Sequence, residues 1–286
     1  MAAAFFKGRK INFLPRANIF ARVPEVVIEA TGSAGRLRYA SNVNNSRSPT
    51  SAVPAQLDLI QSLSGLVLGL FMWGHMFLVA SILLGKDAMY TVTRFFEGYY
   101  FFGKTYPGIV TAIVAGISAI FVIHALLAMR KFPGNYREYR VMRRHTKTSR
   151  HTDTSLWFVQ AYTGFALFFL GSVHLYIMLT NADNIGPYAS ADRVWSQYMW
   201  PLYLLLLLAV EFHGGIGLYR LAVKWGWFEG RDPARSRRRL QRFKWALTVF
   251  LVTLGLMTLG AYMKIGIEHA DNVGERYGLH SEVRSP

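Results

Sequence analysis

Five apolar windows, each about as long as a bilayer is thick, leave this chain few ways to fold. A helix needs about 20 residues to cross hydrocarbon. The windows fall at about 58–84, 108–129, 156–179, 200–223 and 245–263. Each holds very few charges, and none shows the polar stripe that a helix on a soluble core presents to water. The composition agrees, with 52% of the 286 residues apolar and 17% charged. The expected fold class is an all-α membrane protein with five transmembrane helices. Residues 1–55 are basic, rich in Ser, Asn and Ala, and hold no span. Residues 56–264 carry all five spans, and 265–286 form a polar tail. The first thirty residues have few acids, as a transit peptide does; a cytoplasmic extension or a misassigned start codon accounts for them equally well.

The basic residues give the spans a direction. A net charge of +16 on a soluble protein suggests nucleic-acid binding. Here the charge gathers in the N-terminal tail, in the second connection (Arg130 to Arg150) and in the fourth (Arg220 to Lys244). The first connection holds only Lys86, Arg94 and Lys104, and the third only Arg193. Positive connections stay cytoplasmic, so the N-terminus is expected inside and the C-terminal tail, with Glu268, Asp271, Glu275 and Glu282, outside. The charge therefore speaks for a lipid bilayer and no nucleic acid. The sequence has no cysteine, which excludes disulfides, thiolate-held zinc and all-cysteine iron–sulfur clusters within the chain. Without a GxGxxG after a strand, or a P-loop, flavin and nucleotide folds of the usual kinds are unsupported. In a redox enzyme, the organic substrate and any iron–sulfur relay would sit on other subunits.

Four of the eight histidines lie inside spans, one in each of the first four: His75, His124, His174 and His213. His145, His151, His269 and His280 lie in connections or the tail. An ionisable side chain in hydrocarbon is costly and marks a functional site by default. A single one is as well explained by an imidazole hydrogen-bonded to a neighbouring helix; one on each of four helices is not. Counted from the cytoplasmic end at about 1.5 Å per residue, His75 and His174 lie about 25 and 28 Å deep, and His124 and His213 about 9 and 16 Å. Two levels result. His75 pairs with His174 near the outer face, and His124 with His213 nearer the cytoplasm, each pair suited to give an iron porphyrin two axial ligands. Zinc needs three or four converging ligands, which two separated pairs do not offer. Gly65, Gly69, Gly74, Gly171, Gly214, Gly215 and Gly217 leave room beside the histidines, although helix packing alone also favours glycine.

Two acids stand near these levels. Glu97 lies in the first connection, where its plain reading is a solvated carboxylate. Glu211 lies in the fourth span, two residues before His213. Two helical steps turn it about 200° from that histidine's face, and its plain reading is a hydrogen-bonded structural acid.

Long runs around the ligands carry a resemblance. Phe71-Met72-Trp73-Gly74-His75-Met76-Phe77, His124 to Pro133, Gly171 to Met178, Glu211-Phe212-His213-Gly214 and Leu218 to Phe228 closely resemble the dihaem cytochrome b subunit of quinol:fumarate reductases, over about residues 56–264. The resemblance implies a distal haem b on His75 and His174 and a proximal haem b on His124 and His213, held by the bundle of the first four helices. It implies propionate contacts from Gln61, Ser62, Trp157 and Lys224 at the proximal haem and from Arg193 at the distal one. It implies that Glu97 takes protons from menaquinol near the outer face, and that Glu211 belongs to an inward proton route. The implied function is a membrane anchor and electron-transfer subunit in a bacterial cytoplasmic membrane. It would oxidise menaquinol and pass electrons through two haems to an iron–sulfur subunit, which feeds a flavoprotein on the cytoplasmic side, in a dimer of heterotrimers. The same complex running as succinate:menaquinone reductase has the same sequence signature. A cytochrome bc-type subunit puts two ligands on one helix and fits poorly. A haem-free histidine transporter and an inert assembly anchor are the remaining classes. A reduced-minus-oxidised spectrum of the purified chain should show a b-type band; a flat spectrum would favour the transporter.

Overall fold

The computed structural model describes residues 51–149 and 152–278, and within these the side chains of 145–149 and 152–154 are excepted. Most of the 1–55 extension, together with His280 and Glu282, therefore lies outside the described residues. The described chain runs through α1 (Val53–Val79), a 3-10 turn (Ala80–Leu84), α2 (Lys86–Phe96), α3 (Tyr99–Phe102), α4 (Pro107–Met129), α5 (Tyr136–Ser149), α6 (Thr152–Thr180), α7 (Pro187–Val194), α8 (Trp200–Lys224) and α9 (Pro233–Glu268). No strand occurs among the described residues.

Among the described residues, five helices are long and apolar enough to cross a membrane: α1 with its 3-10 turn, α4, α6, α8 and α9. Four of them begin with proline in the first turn (Pro54, Pro107, Pro201 and Pro233). Proline suits that position because the first N–H groups of a helix lack intrahelical acceptors anyway. At α9, Asp232 adds a cap by accepting the Arg235 N–H at 3.1 Å. This helix starts at Pro233 rather than near residue 245; its first three turns are basic and so fall outside the apolar window. Gly85 at φ 119° ends the first span and Gly226 at φ 67° follows the fourth, both in backbone regions that side chains rarely adopt.

The helices pack as an interior with a lipid-facing skin. Leu70, Leu126, Phe169 and Val249 are exposed along the sides, as expected where lipid takes the place of water. The helices meet through small residues, which is how helices associate where lipid is as apolar as leucine. A Cβ at Gly255 of α9 would stand 2.4 Å from a Leu207 methyl of α8 and 2.9 Å from the Met76 methyl of α1. A Cβ at Gly215 of α8 would stand 2.9 Å from Thr248 Oγ1 of α9, so Gly215 serves helix packing and leaves no space for a ligand.

The connections divide the bundle into two ends. The basic end carries α5 and the turn between α8 and α9. The far end carries α2, α3 and α7. The polar helices α2, α5 and α7 have no apolar window to betray them. Helix α7 lies across the far end of α9, where Gly266 lets Ala191 O come within 2.7 Å of the position a Cβ would take. Gly266→Val should therefore lower the thermal unfolding midpoint in detergent, since overpacking of this kind costs about 1–3 kcal/mol. Gly260→Ala, with nothing within 4 Å of its added Cβ, should leave the midpoint in place.

Candidate functional site

Hydrophobic side chains from all five spans stop short of each other and leave a cavity of about 1220 Å³. Single small-molecule pockets take about 300–1,000 Å³. Its wall is overwhelmingly apolar, and all four span histidines stand on it.

The histidines form two couples. The rings of His75 (α1) and His174 (α6) have centroids 6.3 Å apart with planes at 51°. Those of His124 (α4) and His213 (α8) are 6.4 Å apart at 88°. A metal ion held between two imidazole nitrogens at about 2 Å each, with each ring centre about 1 Å behind its nitrogen, needs centroids about 6 Å apart. No cluster of three or more His, Asp or Glu suited to a metal ion occurs among the described residues, which leaves zinc-like sites without a donor set.

Neighbouring groups orient the rings. His213 Nδ1 lies 2.8 Å from the backbone oxygen of Gln160. A carbonyl only accepts, so Nδ1 carries the proton and Nε2 keeps its lone pair. His124 Nδ1 lies 3.1 Å from Ser64 Oγ, whose hydroxyl donates to Gln61 O at 3.1 Å. With that proton engaged, the Ser64 oxygen accepts from Nδ1, and Nε2 of His124 is again the free nitrogen. Orienting a ligand histidine through its other nitrogen is the usual device in metal sites. His75 stacks on Phe71 one turn back, at 5.7 Å and 10°. His174 sits edge-on to Tyr203 at 5.6 Å, and its Nδ1 is buried without a hydrogen-bond partner.

Two glycines make space for the His124–His213 couple. A Cβ at Gly65 would stand 2.8 Å from His124 Cε1, and one at Gly164 would stand 2.9 Å from His213 Cε1. Gly164 is absent from the sequence reading; span glycines have several uses, and only the contact distinguishes this one. Gly74 meets nothing within 4 Å, and Gly171 makes ordinary contact with Phe121 at 3.5 Å.

Polar groups close the two ends of the cavity. At the basic end, Gln61, Ser62, Trp157 and Lys224 all line it, and Lys224 Nζ donates to Ser62 Oγ at 2.9 Å. Lys131 and Asp58 stand beside them: Asp58 accepts from both Lys131 and Lys224. Two ammonium groups thus already hold one carboxylate at the cavity mouth. At the far end, Arg193 lines the cavity from α7, 5% exposed, and donates to Asn184 O at 2.8 Å. The buried, partnerless Nδ1 of His174, the ring spacings, the glycine clearances and the carboxylate-binding lysines together suit a planar metallated macrocycle with acidic arms at each level.

The two acids lie off the cavity wall. Glu97 caps the C-terminus of α2 and is 9% exposed; its neighbours Thr93 and Phe96 line the cavity, and it does not. Burial raises its pKa, opposed by Arg94 and Arg276. Glu211 is 1% exposed, with both oxygens unpartnered. Leu207 and Gly215, one turn to either side of it, both face α9, so Glu211 does as well. Lys244 of α9 is also buried with an unpartnered Nζ, over the Trp245 ring at 3.3 Å. Its place in a basic run hides it in the sequence.

Comparison with known proteins gives the following likenesses. The family pattern described as succinate dehydrogenase/fumarate reductase transmembrane subunit matches residues 136–255. The fumarate reductase cytochrome b subunit of Wolinella succinogenes is 54% identical over 228 residues, covering 79% of this chain and 89% of that protein. Those of two Helicobacter pylori strains are 54% identical over 222 residues, covering 78% of this chain and 86% of theirs.

Gly164→Leu should push the His213 ring off its hydrogen bond to Gln160 and lower the haem recovered per purified chain. Gly74→Ala, with open space around it, should keep the full amount. Pyridine haemochrome assay of both variants checks this.

Proposed function

This chain belongs to the family of fumarate reductase cytochrome b subunits, and on that premise we propose that it oxidises menaquinol and delivers the electrons to an iron–sulfur subunit that feeds a flavoprotein reducing fumarate. One observation carries the reading: two imidazole couples, 6.3 and 6.4 Å between centroids, face one apolar cavity at two levels. Two haem b groups, when bound, supply one-electron carriers at those levels. His75 and His174 hold the distal one, and His124 and His213 the proximal one. Ser62, Gln61, Trp157 and Lys224 bind acidic arms at the basic end, and Arg193 does so at the far end. Arginine and lysine suit this task because charge-assisted hydrogen bonds to carboxylates are the strong ones.

The basic connections support a cytoplasmic N-terminus in a bacterial inner membrane and a C-terminal tail outside, and on this reading the partner subunits dock on the cytoplasmic side. Menaquinol then reacts at the far end. Each quinol hydroxyl must lose its proton as electrons leave, and Glu97 accepts it at the rim of α2. Its burial holds the carboxyl protonated above the ordinary glutamate range. The base form therefore grows as pH rises through a value above 4.5. Quinol oxidation should climb with pH along that limb, and the limb should vanish in Glu97→Gln.

Moving two electrons inward against a potential costs about 4–5 kcal/mol per 100 mV. Glu211, an acid buried between α8 and α9 with no hydrogen bond to hold it, carries a compensating proton inward. Glu211→Gln should abolish quinol-driven fumarate reduction while leaving dye-driven fumarate reduction by the partner subunits intact. Full quinol activity in that variant removes this role. Haem content tests the core of the proposal: pyridine haemochrome should return about two per chain, and one per chain overturns it. The complex assembles as a dimer of heterotrimers, which mass photometry of the detergent-solubilised complex checks. The same arrangement serves succinate:menaquinone reduction when driven backwards. Assays of both directions in membranes, with and without uncoupler, give the physiological sense.

A further inference from the structure

A second buried ionisable cluster lies at the far end, away from the imidazole couples. Helix α7 carries two charged residues in succession, Asp192 at 4% and Arg193 at 5% exposure. Arg193 lines the cavity. Asp192, turned about 100° from it, points to the chain's C-terminal segment. Its Oδ1 lies 2.8 Å from Nδ1 of His269, the residue that caps α9, and its Oδ2 accepts the Gly274 N–H at 3.0 Å. His269 is itself 5% exposed. Its ring stacks on Tyr188 of α7 at 4.0 Å and 17°. Tyr188 in turn receives Lys86 Nζ at 3.4 Å and packs edge-on against Tyr277, whose hydroxyl donates to Asp87 of α2 at 2.5 Å.

One carboxylate thus ties α7 to the end of α9 and to the segment beyond it, while the tyrosines tie both to α2. Withdrawing such a pair from water is expensive and adds little stability by itself. What it supplies is a fixed position, and what it fixes is the short helix that carries Arg193.

We propose that His269 and Asp192 are positioning residues for Arg193: the segment His269–Tyr277 is a strap that clamps α7 so that the guanidinium stays at the far end of the cavity. The inference rests on the reading of Arg193 as the partner of the distal haem's acidic arm. A cation held beside a redox group favours its reduced form, so a loosened Arg193 lowers that group's midpoint potential.

The test is a redox titration, monitored by the b-type absorbance, of the intact membrane complex carrying His269→Leu, His269→Gln, Arg193→Gln or the His269→Leu/Arg193→Gln double substitution. Arg193→Gln should lower one of the two midpoints and leave the other in place. His269→Leu should move the same midpoint in the same direction. The double variant should match Arg193→Gln alone, because the strap acts only through the arginine. His269→Gln, which keeps an N–H donor for Asp192, should recover most of the shift. Should His269→Leu fail to assemble, Asp192→Asn reads the same shift. A shift in Arg193→Gln with none in the strap variants, or additive shifts in the double variant, overturns the strap while sparing the role of Arg193. Unmoved midpoints in Arg193→Gln overturn the placement of Arg193, and the strap falls with it.

Discussion

An imidazole nitrogen left unpartnered inside hydrocarbon is costly, and much of the architecture follows from where partners stand. His213 has the Gln160 carbonyl at Nδ1 and His124 has Ser64, so each keeps Nε2 free, with the two rings 6.4 Å apart. That requirement fixes which faces of α4 and α8 point inward and how far the spans stand apart. It also explains why the space between the facing rings is kept clear of side chains. Side chains that filled the space would leave four polar rings without partners, at a cost that membrane helices rarely bear.

How much of this is legible in the sequence depends on the distance over which each interaction acts. The five spans are legible because hydrophobic length is a local property, summed over about 20 neighbouring residues. Helix α9 shows the limit: the Arg and Lys residues of its first turns hide a third of the helix from a hydropathy window, although Asp232-Pro233 signals the start. The depth of each histidine follows by counting along a straight helix. Lateral neighbours cannot be counted this way. Ser64 meets His124, Gln160 meets His213 and Asp192 meets His269 across separations of 60, 53 and 77 residues. Helix α7, Lys131 beside Asp58 and the notch at Gly164 stay hidden for the same reason.

The two ends of the bundle hold charge in different ways. At the basic end, Lys131 and Lys224 share Asp58 at the surface, where water screens the cluster and the side chains can exchange partners. At the far end, Asp192, Arg193 and His269 are sealed from solvent and held by aromatic stacking. A screened cluster tolerates rearrangement when a protein partner docks against it. A sealed one keeps its geometry while small molecules come and go.

The glycine notches belong to helices that serve the other couple. Gly65, which clears space for His124, lies on the helix that carries His75; Gly164, which clears space for His213, lies on the helix that carries His174. The two storeys are therefore interlocked like the halves of a dovetail joint. On the proposed reading of one prosthetic group per couple, a descendant chain that discarded one would inherit grooves cut for its ligands in the helices gripping the other. It would have to refill them before its remaining group sat firmly. On that reading, going from two groups to one is a concerted change in four helices rather than the loss of two side chains.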